Sequence, residues 1–96
     1  MSSEMVVFVP VEVMLFTKKD CPNCPGAKKI MGEIEAELGD RIFVSRYDLD
    51  DEEDFLTALQ HQVMSTPSVV VGERLVSAGR APTRDEILAA LSAEEK

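Results

Sequence analysis

The pattern that most restricts this chain is a strand-like run, an amphipathic helical run and a second strand-like run in direct succession. Val11–Phe16 ("VEVMLF") and Ile42–Tyr47 ("IFVSRY") are rich in β-branched and long apolar residues and read as strands. Between them, Ala27, Ile30, Met31, Ile34 and Leu38 recur at the spacing of one helical face over Pro25–Leu38, and Gly39 stops that helix. Two strands joined this way lie parallel in one sheet with a right-handed crossover. Asp50–Gln62 is expected as a second helix, opened by Asp50 with Glu53 three residues on and with Phe55, Leu56 and Leu59 inward. Ser68–Val71 and Arg74–Ser77 read as a hairpin around Gly72-Glu73. "TRDE" at Thr83–Glu86 is a second capping box, leading into a helix with Ile87, Leu88 and Leu91 apolar. The order β-α-β-α-β-β-α gives an α/β fold with a mixed four-stranded sheet flanked by helices.

A chain of 96 residues suits one such domain and one core. The core is expected over about residues 11–92, with residues 1–10 as an extra edge strand or an extension, since Pro10 separates Met5–Val9 from the first strand. The net charge of −8 opposes nucleic acid and anionic membrane as partners, because both are bound through cationic side chains. The apolar stretch from Met5 to Phe16 is broken by Pro10 and Glu12 and is shorter than the about 20 residues a membrane helix needs. With no basic segment before it and no small-residue cleavage site after it, a secretory signal is not expected. A cytoplasmic monomer is the resulting expectation, in a compartment where thiols stay reduced unless their chemistry is catalytic.

Both cysteines of the chain, Cys21 and Cys24, fall in "DCPNCP". Cys21 follows the first strand by a short loop and is placed at the opening of the first helix, with Pro22 at the first helical position. A thiolate at a helix N-terminus meets unpaired backbone N–H groups and the positive end of the helix dipole, which lowers a thiol pKa from about 8.5. Lys18, Lys19, Lys28 and Lys29 act in the same direction and Asp20 against it. Pro25 removes one early N–H, so the first turn is expected to lose its first hydrogen bond. Cys24 is placed one turn deeper as the less exposed sulfur. The pair is a poor staple, because so short a loop restricts the unfolded chain by only about 2 kcal/mol. Inert buried cysteines belong on the apolar face, not beside prolines at a helix start. A C-x-x-C beside a β-α-β unit instead reads as a redox pair. "VMSTPS" (Val63–Ser68) then sets Pro67 at the start of the third strand, where a missing N–H is tolerated.

"FTKKDCPNC" at Phe16–Cys24, "STPS" at Ser65–Ser68 and Gly79 after the hairpin, in this order of elements, resemble the thioredoxin-glutaredoxin superfamily, and most closely its small glutaredoxin-like thioredoxins of archaea and anaerobic bacteria. The resemblance spans about residues 11–92 and implies a thioredoxin-like fold. It also implies a thiol–disulfide oxidoreductase that needs no cofactor beyond its own Cys21–Cys24 disulfide. It implies Cys21 as attacking thiolate, Cys24 as resolving thiol, and a cis Thr66–Pro67 bond facing Cys21. Thr66, Pro67, Gly79 and Lys18 would contact substrate, with protein disulfides and a reductase as partners. Three departures matter. "GRAPTR" (residues 79–84) stands where glutathione-binding members carry Gly and acidic residues, which weighs against glutathione as a partner. There is no Trp before Cys21, and Leu15 occupies the place of the buried acid of thioredoxins. Pro-Asn between the cysteines, followed by Pro25, is the common form of neither branch.

Two alternatives to a redox pair are a metal or iron–sulfur site shared with a second chain or an external thiol, and a binding module that has kept the fold without the chemistry. His61, the only histidine, is expected to be a solvated helix-end side chain. "DLDDEED" (Asp48–Asp54) lacks the ligand alternation and glycine of a calcium loop and reads as helix N-terminal carboxylates. Met5, Met14, Met31 and Met64 read as core or gap filling.

Overall fold

The computed structural model describes residues 10–94, so the extra strand considered for Met5–Val9 lies outside the described residues. The elements are β1 (Val11–Thr17), α1 (Cys24–Leu38), a 3-10 turn (Gly39–Arg41), β2 (Ile42–Asp48), α2 (Glu52–Gln60), β3 (Ser68–Val71), β4 (Arg74–Ala78) and α3 (Arg84–Glu94). The sheet order is β2-β1-β3-β4. β1 runs parallel to β2 and antiparallel to β3, and β3 is antiparallel to β4 with a bulge between Val69 and Val70. This is the mixed four-stranded α/β arrangement that the order of elements demands.

Because neighbouring strand residues point to opposite faces, the sheet builds two cores. Val13, Leu15, Val69 and Val71 pack on one face with Ala27, Met31 and Ile34 of α1 and Ile87 and Leu91 of α3. Met14, Phe16 and Val70 pack on the other with Ala58 of α2 and Val63. Phe16 also stacks on Tyr47, with ring centroids 4.9 Å apart.

Helix α2 departs from expectation. It begins at Glu52, and its cap is Asp51, whose side chain accepts the Asp54 N–H at 3.1 Å; Asp50 and Glu53 form no capping box. Phe55, Leu56 and Leu59 do not turn inward; all three are exposed, Leu56 at 54%. The buried α2 residue is Ala58. A small side chain lets this nine-residue helix approach the sheet closely, and the bulky residues fall to its flanks. Met64 likewise is no core filler, at 83% exposure, whereas Met14 and Met31 are buried.

The start of α3 forms as the sequence suggests. Thr83 Oγ1 accepts the Glu86 N–H at 3.1 Å, and a Glu86 carboxylate oxygen accepts the Thr83 N–H at 2.9 Å, a reciprocal capping box. Arg80 then clasps the same carboxylate with two hydrogen bonds of 2.8 and 2.6 Å. The Arg80 guanidinium first, and the Thr83 N–H second, hold the Glu86 carboxyl down from 4.5 to about 2.

A carboxyl lowered by folding stabilises the folded state fully above its unfolded value and loses that effect as pH falls. The stability difference between wild type and Glu86→Gln, measured by thermal melts, should be greatest above pH 4.5 and shrink toward pH 2. The Ser77 hydroxyl is buried without a hydrogen-bond partner among the described residues. Ser77→Ala should therefore raise the unfolding free energy by about 1 kcal/mol, read as a higher urea midpoint at unchanged m-value.

Candidate active site

The register of β1 decides which segments meet around the cysteines. Thr17 at its end pairs with Asp48 at the end of β2, and Phe16 pairs with Ser68 at the start of β3. Ser68 in turn pairs with Ala78 at the end of β4. Residues 18–23, 49–51, 65–67 and 79–83 therefore all gather at one edge of the sheet, beyond the carboxyl ends of the two parallel strands. That edge is where open α/β sheets place their ligands.

Cys21 and Cys24 are joined by a disulfide, with Cα atoms 5.3 Å apart. Cys21 does not open α1, as the sequence suggested; it sits a turn ahead of it. The Cys24 N–H donates to the Cys21 carbonyl at 3.2 Å, and the helix starts at Cys24 behind Asn23. Pro25, not Pro22, lies in the first turn, where its missing N–H would have no intrahelical acceptor. The first helical bond, from the Ala27 N–H to the Asn23 carbonyl at 3.2 Å, is intact, so Pro25 removes no hydrogen bond. Cys24 is 3% exposed and Cys21 half-buried, which makes Cys21 the sulfur that an incoming group meets first.

The Thr66–Pro67 peptide is cis. Pro67 is buried, and its carbonyl accepts the Gly79 N–H at 2.8 Å. The structure thus brings Pro67 and Gly79 together. Gly79 has φ +78, a conformation that side chains other than glycine rarely adopt, and Ser65 lies against it. Ser68 Oγ donates to the Ser65 carbonyl at 2.7 Å and fixes the turn before β3. Thr66 is half-buried, and its own N–H and C=O have no hydrogen-bond partner among the described residues. Ala81, from the segment after Gly79, adjoins Gly26 in the first turn of α1. This contact draws the third loop toward the cysteines.

The arginines are committed to ion pairs: Arg80 and Arg84, which follow Gly79, pair with Glu86 and Glu37, and Arg46 of β2 and Arg74 of β4 pair with Glu35 and Glu94. Lys18, Lys19, Lys28 and Lys29 are exposed, all lie close in sequence to the cysteines, and form no ion pair among the described residues. Lys18 thus lies in the loop that leads to Cys21, exposed and without an ion-pair partner among the described residues. His61 is at the far end of α2, half-buried against Phe16 with ring centroids 6.4 Å apart; it is neither fully solvated nor part of the site. Among the described residues no three His, Cys, Asp or Glu side chains converge as a metal site. A metal on the two sulfurs would need its other ligands from elsewhere.

The acidic run holds a contact that the sequence reading missed. Asp50 Oδ2 accepts the Lys19 N–H at 2.7 Å, linking the β2–α2 loop to the loop that carries Cys21. The available signal was positional: Asp50 follows the end of a strand parallel to β1, so it had to lie at the same edge.

A family model described as thioredoxin domain matches residues 9–92. A protein described as a probable thioredoxin from Methanothermobacter thermautotrophicus is 30% identical over 84 residues, covering 88% of this chain and 95% of that one. A thioredoxin of Methanocaldococcus jannaschii is 28% identical over 84% of this chain and 92% of its own length. Among solved structures, thioredoxin-2 of the malaria parasite superposes with a TM-score of 0.70 at 22% identity, covering 88% of this chain and 82% of that one. A thioredoxin from Thermus thermophilus superposes with a TM-score of 0.66 at 20% identity, covering 88% and 73%. The fold, the disulfide at the sheet edge and the match over residues 9–92 agree: the chain belongs to the thioredoxin domain family of disulfide oxidoreductases.

Proposed function

We propose that this protein reduces disulfides in other proteins, with Cys21 as nucleophile and Cys24 as resolving thiol. The observation that carries the reading is the asymmetry of the pair, a half-exposed Cys21 and a buried Cys24, at the same end of the sheet as Thr66, whose peptide has no partner among the described residues. In the reduced protein the Cys21 thiolate attacks one sulfur of the substrate disulfide. A mixed disulfide forms and the second substrate sulfur leaves as a thiolate. Cys24, after giving up its proton, attacks the Cys21 sulfur, which restores the Cys21–Cys24 disulfide and frees the second substrate thiol. Two electrons pass to the substrate, and a reductase must return them to the pair. No other cofactor is required.

Several groups support the docking of substrate. The open N–H and C=O of Thr66 offer an extended segment one further pair of main-chain hydrogen bonds, as in strand addition. Exposed Gly79, bonded to the buried Pro67, leaves space free of side chains, and exposed Lys18 adds positive charge close to the pair in sequence. Gly26 contributes a first-turn N–H that α1 itself does not use, suited to a thiolate at the helix N-terminus. Such a reductase works in a reducing compartment such as the cytoplasm. Among the described residues no helix is long and apolar enough to cross a membrane.

Reduced wild type should cleave insulin disulfides in the presence of dithiothreitol, followed by turbidity. Cys21→Ser should abolish turnover. Cys24→Ser should instead accumulate one substrate per protein as a mixed disulfide, visible by mass spectrometry without reductant. Turnover by Cys21→Ser, or trapping through Cys24, would overturn the assignment of roles. Gly79→Ala, forced into an unfavourable φ beside the Pro67 carbonyl, should lower the unfolding free energy by about 1 kcal/mol, measured by urea unfolding.

A further inference from the structure

Among the described residues, one side chain from outside the dithiol loop, that of Asp50, is hydrogen-bonded to it. β1 ends at Thr17, whose carbonyl accepts the Leu49 N–H at 2.8 Å. The next anchor is the Lys19 N–H on Asp50 Oδ2 at 2.7 Å. Asp20 follows with φ +55, a left-handed conformation rarely adopted by a residue with a side chain, and then comes Cys21. Asp50 is itself braced. Its N–H donates to Asp48 Oδ1 at 2.9 Å, and the Asp48 N–H donates to Asp54 Oδ2 at 3.0 Å in the first turn of α2. A chain of hydrogen bonds thus runs from α2 to the residue two places before the reactive sulfur. The other acids of the run serve α2: Asp51 caps it, and Glu52 and Glu53 sit in its first turn.

We propose that Asp50 is a positioning residue for the redox pair. Its carboxylate fixes Lys19, and through it the turn at Asp20, so that in the reduced protein Cys21 already stands where it closes onto Cys24. This rests on the disulfide-exchange reading above. A loop held in the closing geometry forms its disulfide at a higher effective concentration, because less freedom remains to be lost. The Lys19 side chain plays no part, since the bond is to its main chain.

The test is equilibration of the reduced protein with glutathione redox buffers. One glutathione disulfide oxidises the two protein thiols and is itself reduced to two glutathione molecules. Asp50→Ala should shift the equilibrium toward the dithiol by about five-fold, the factor that one net hydrogen bond is worth. Asp50→Asn keeps an acceptor without the charge and should stay near wild type. Asp51→Ala, one residue on, loses a carboxylate and a helix cap and should lower thermal stability without moving the equilibrium. The rate of Cys21 alkylation against pH, read on all three variants, provides a second measure that a general loss of stability would not move; Asp50→Ala alone should displace this profile. The inference is overturned if Asp50→Ala matches wild type in both measures, if Asp50→Asn shifts as far as Asp50→Ala, or if Asp51→Ala shifts equally. If wild-type protein fails to exchange disulfides at all, it is the functional reading that falls.

Discussion

Strand β1 is the constraint on which the site depends. It is an interior strand, bonded to a parallel neighbour on one side and an antiparallel neighbour on the other. Its hydrogen-bond ladders are satisfied only if β2 ends and β3 begins beside its own carboxyl end. The hairpin to β4 then returns the chain to the same place. Every segment of the candidate site is delivered by this pairing and not by attraction between the site residues. A one-residue slip of β1 would exchange its two buried faces, moving Val13 and Leu15 off the α1–α3 core and Met14 and Phe16 off the α2 core. Core packing therefore fixes the register, and the register fixes the site.

Much of this was legible in the residues because the signals were redundant. β1 and β2 are apolar strand runs on either side of a long, regularly spaced helix, and the parallel crossover has one permitted hand. "TRDE" at Thr83–Glu86 encodes its cap in both directions, and both bonds form. The difference in depth between the cysteines holds although the helix starts at Cys24: Cys24 is buried as its first residue, and Cys21 lies half-buried in the turn ahead of it. Misreadings arose where two registers of the same local rule compete. Asp48, Asp50, Asp51 and Asp54 all have the chemistry of a cap. Selecting Asp51 requires knowing that Asp50 is drawn across to Lys19, a contact 31 residues distant in sequence. The start of α1 slid in a similar way, because either Pro22 or Pro25 suits a first turn.

The inward face of α2 failed for a different reason. In a helix of nine residues, two turns contribute the buried stripe, and side-chain size counts for as much as polarity. Ala58 against Met14, Phe16 and Val70 allows a close approach that Leu56 or Leu59 would obstruct. The core volume that a bulkier residue would fill is supplied instead by Phe16 from the sheet and Val63 from the following loop. Apolar periodicity measures which residues avoid water; it does not measure how near a helix lies to its sheet.

The segment after Gly79 shows how the same residues set the limits of recognition. Its two arginines are the obvious receptors for a small anionic ligand at this edge, but each is already committed. Arg80 grips Glu86 in a forked pair, and Arg84 grips Glu37 on α1. A carboxylate ligand at Arg80 would have to displace Glu86, which also accepts the Thr83 N–H and so closes the cap of α3. Binding there would be opposed by the loss of a charged hydrogen-bond pair and of a helix cap together. The lysines close to the cysteines in sequence form no ion pair among the described residues. On the proposed reading, recognition at this edge runs through main-chain pairing at Thr66 and through exposed ammonium charge. Both suit a range of extended polypeptide segments better than one small anion.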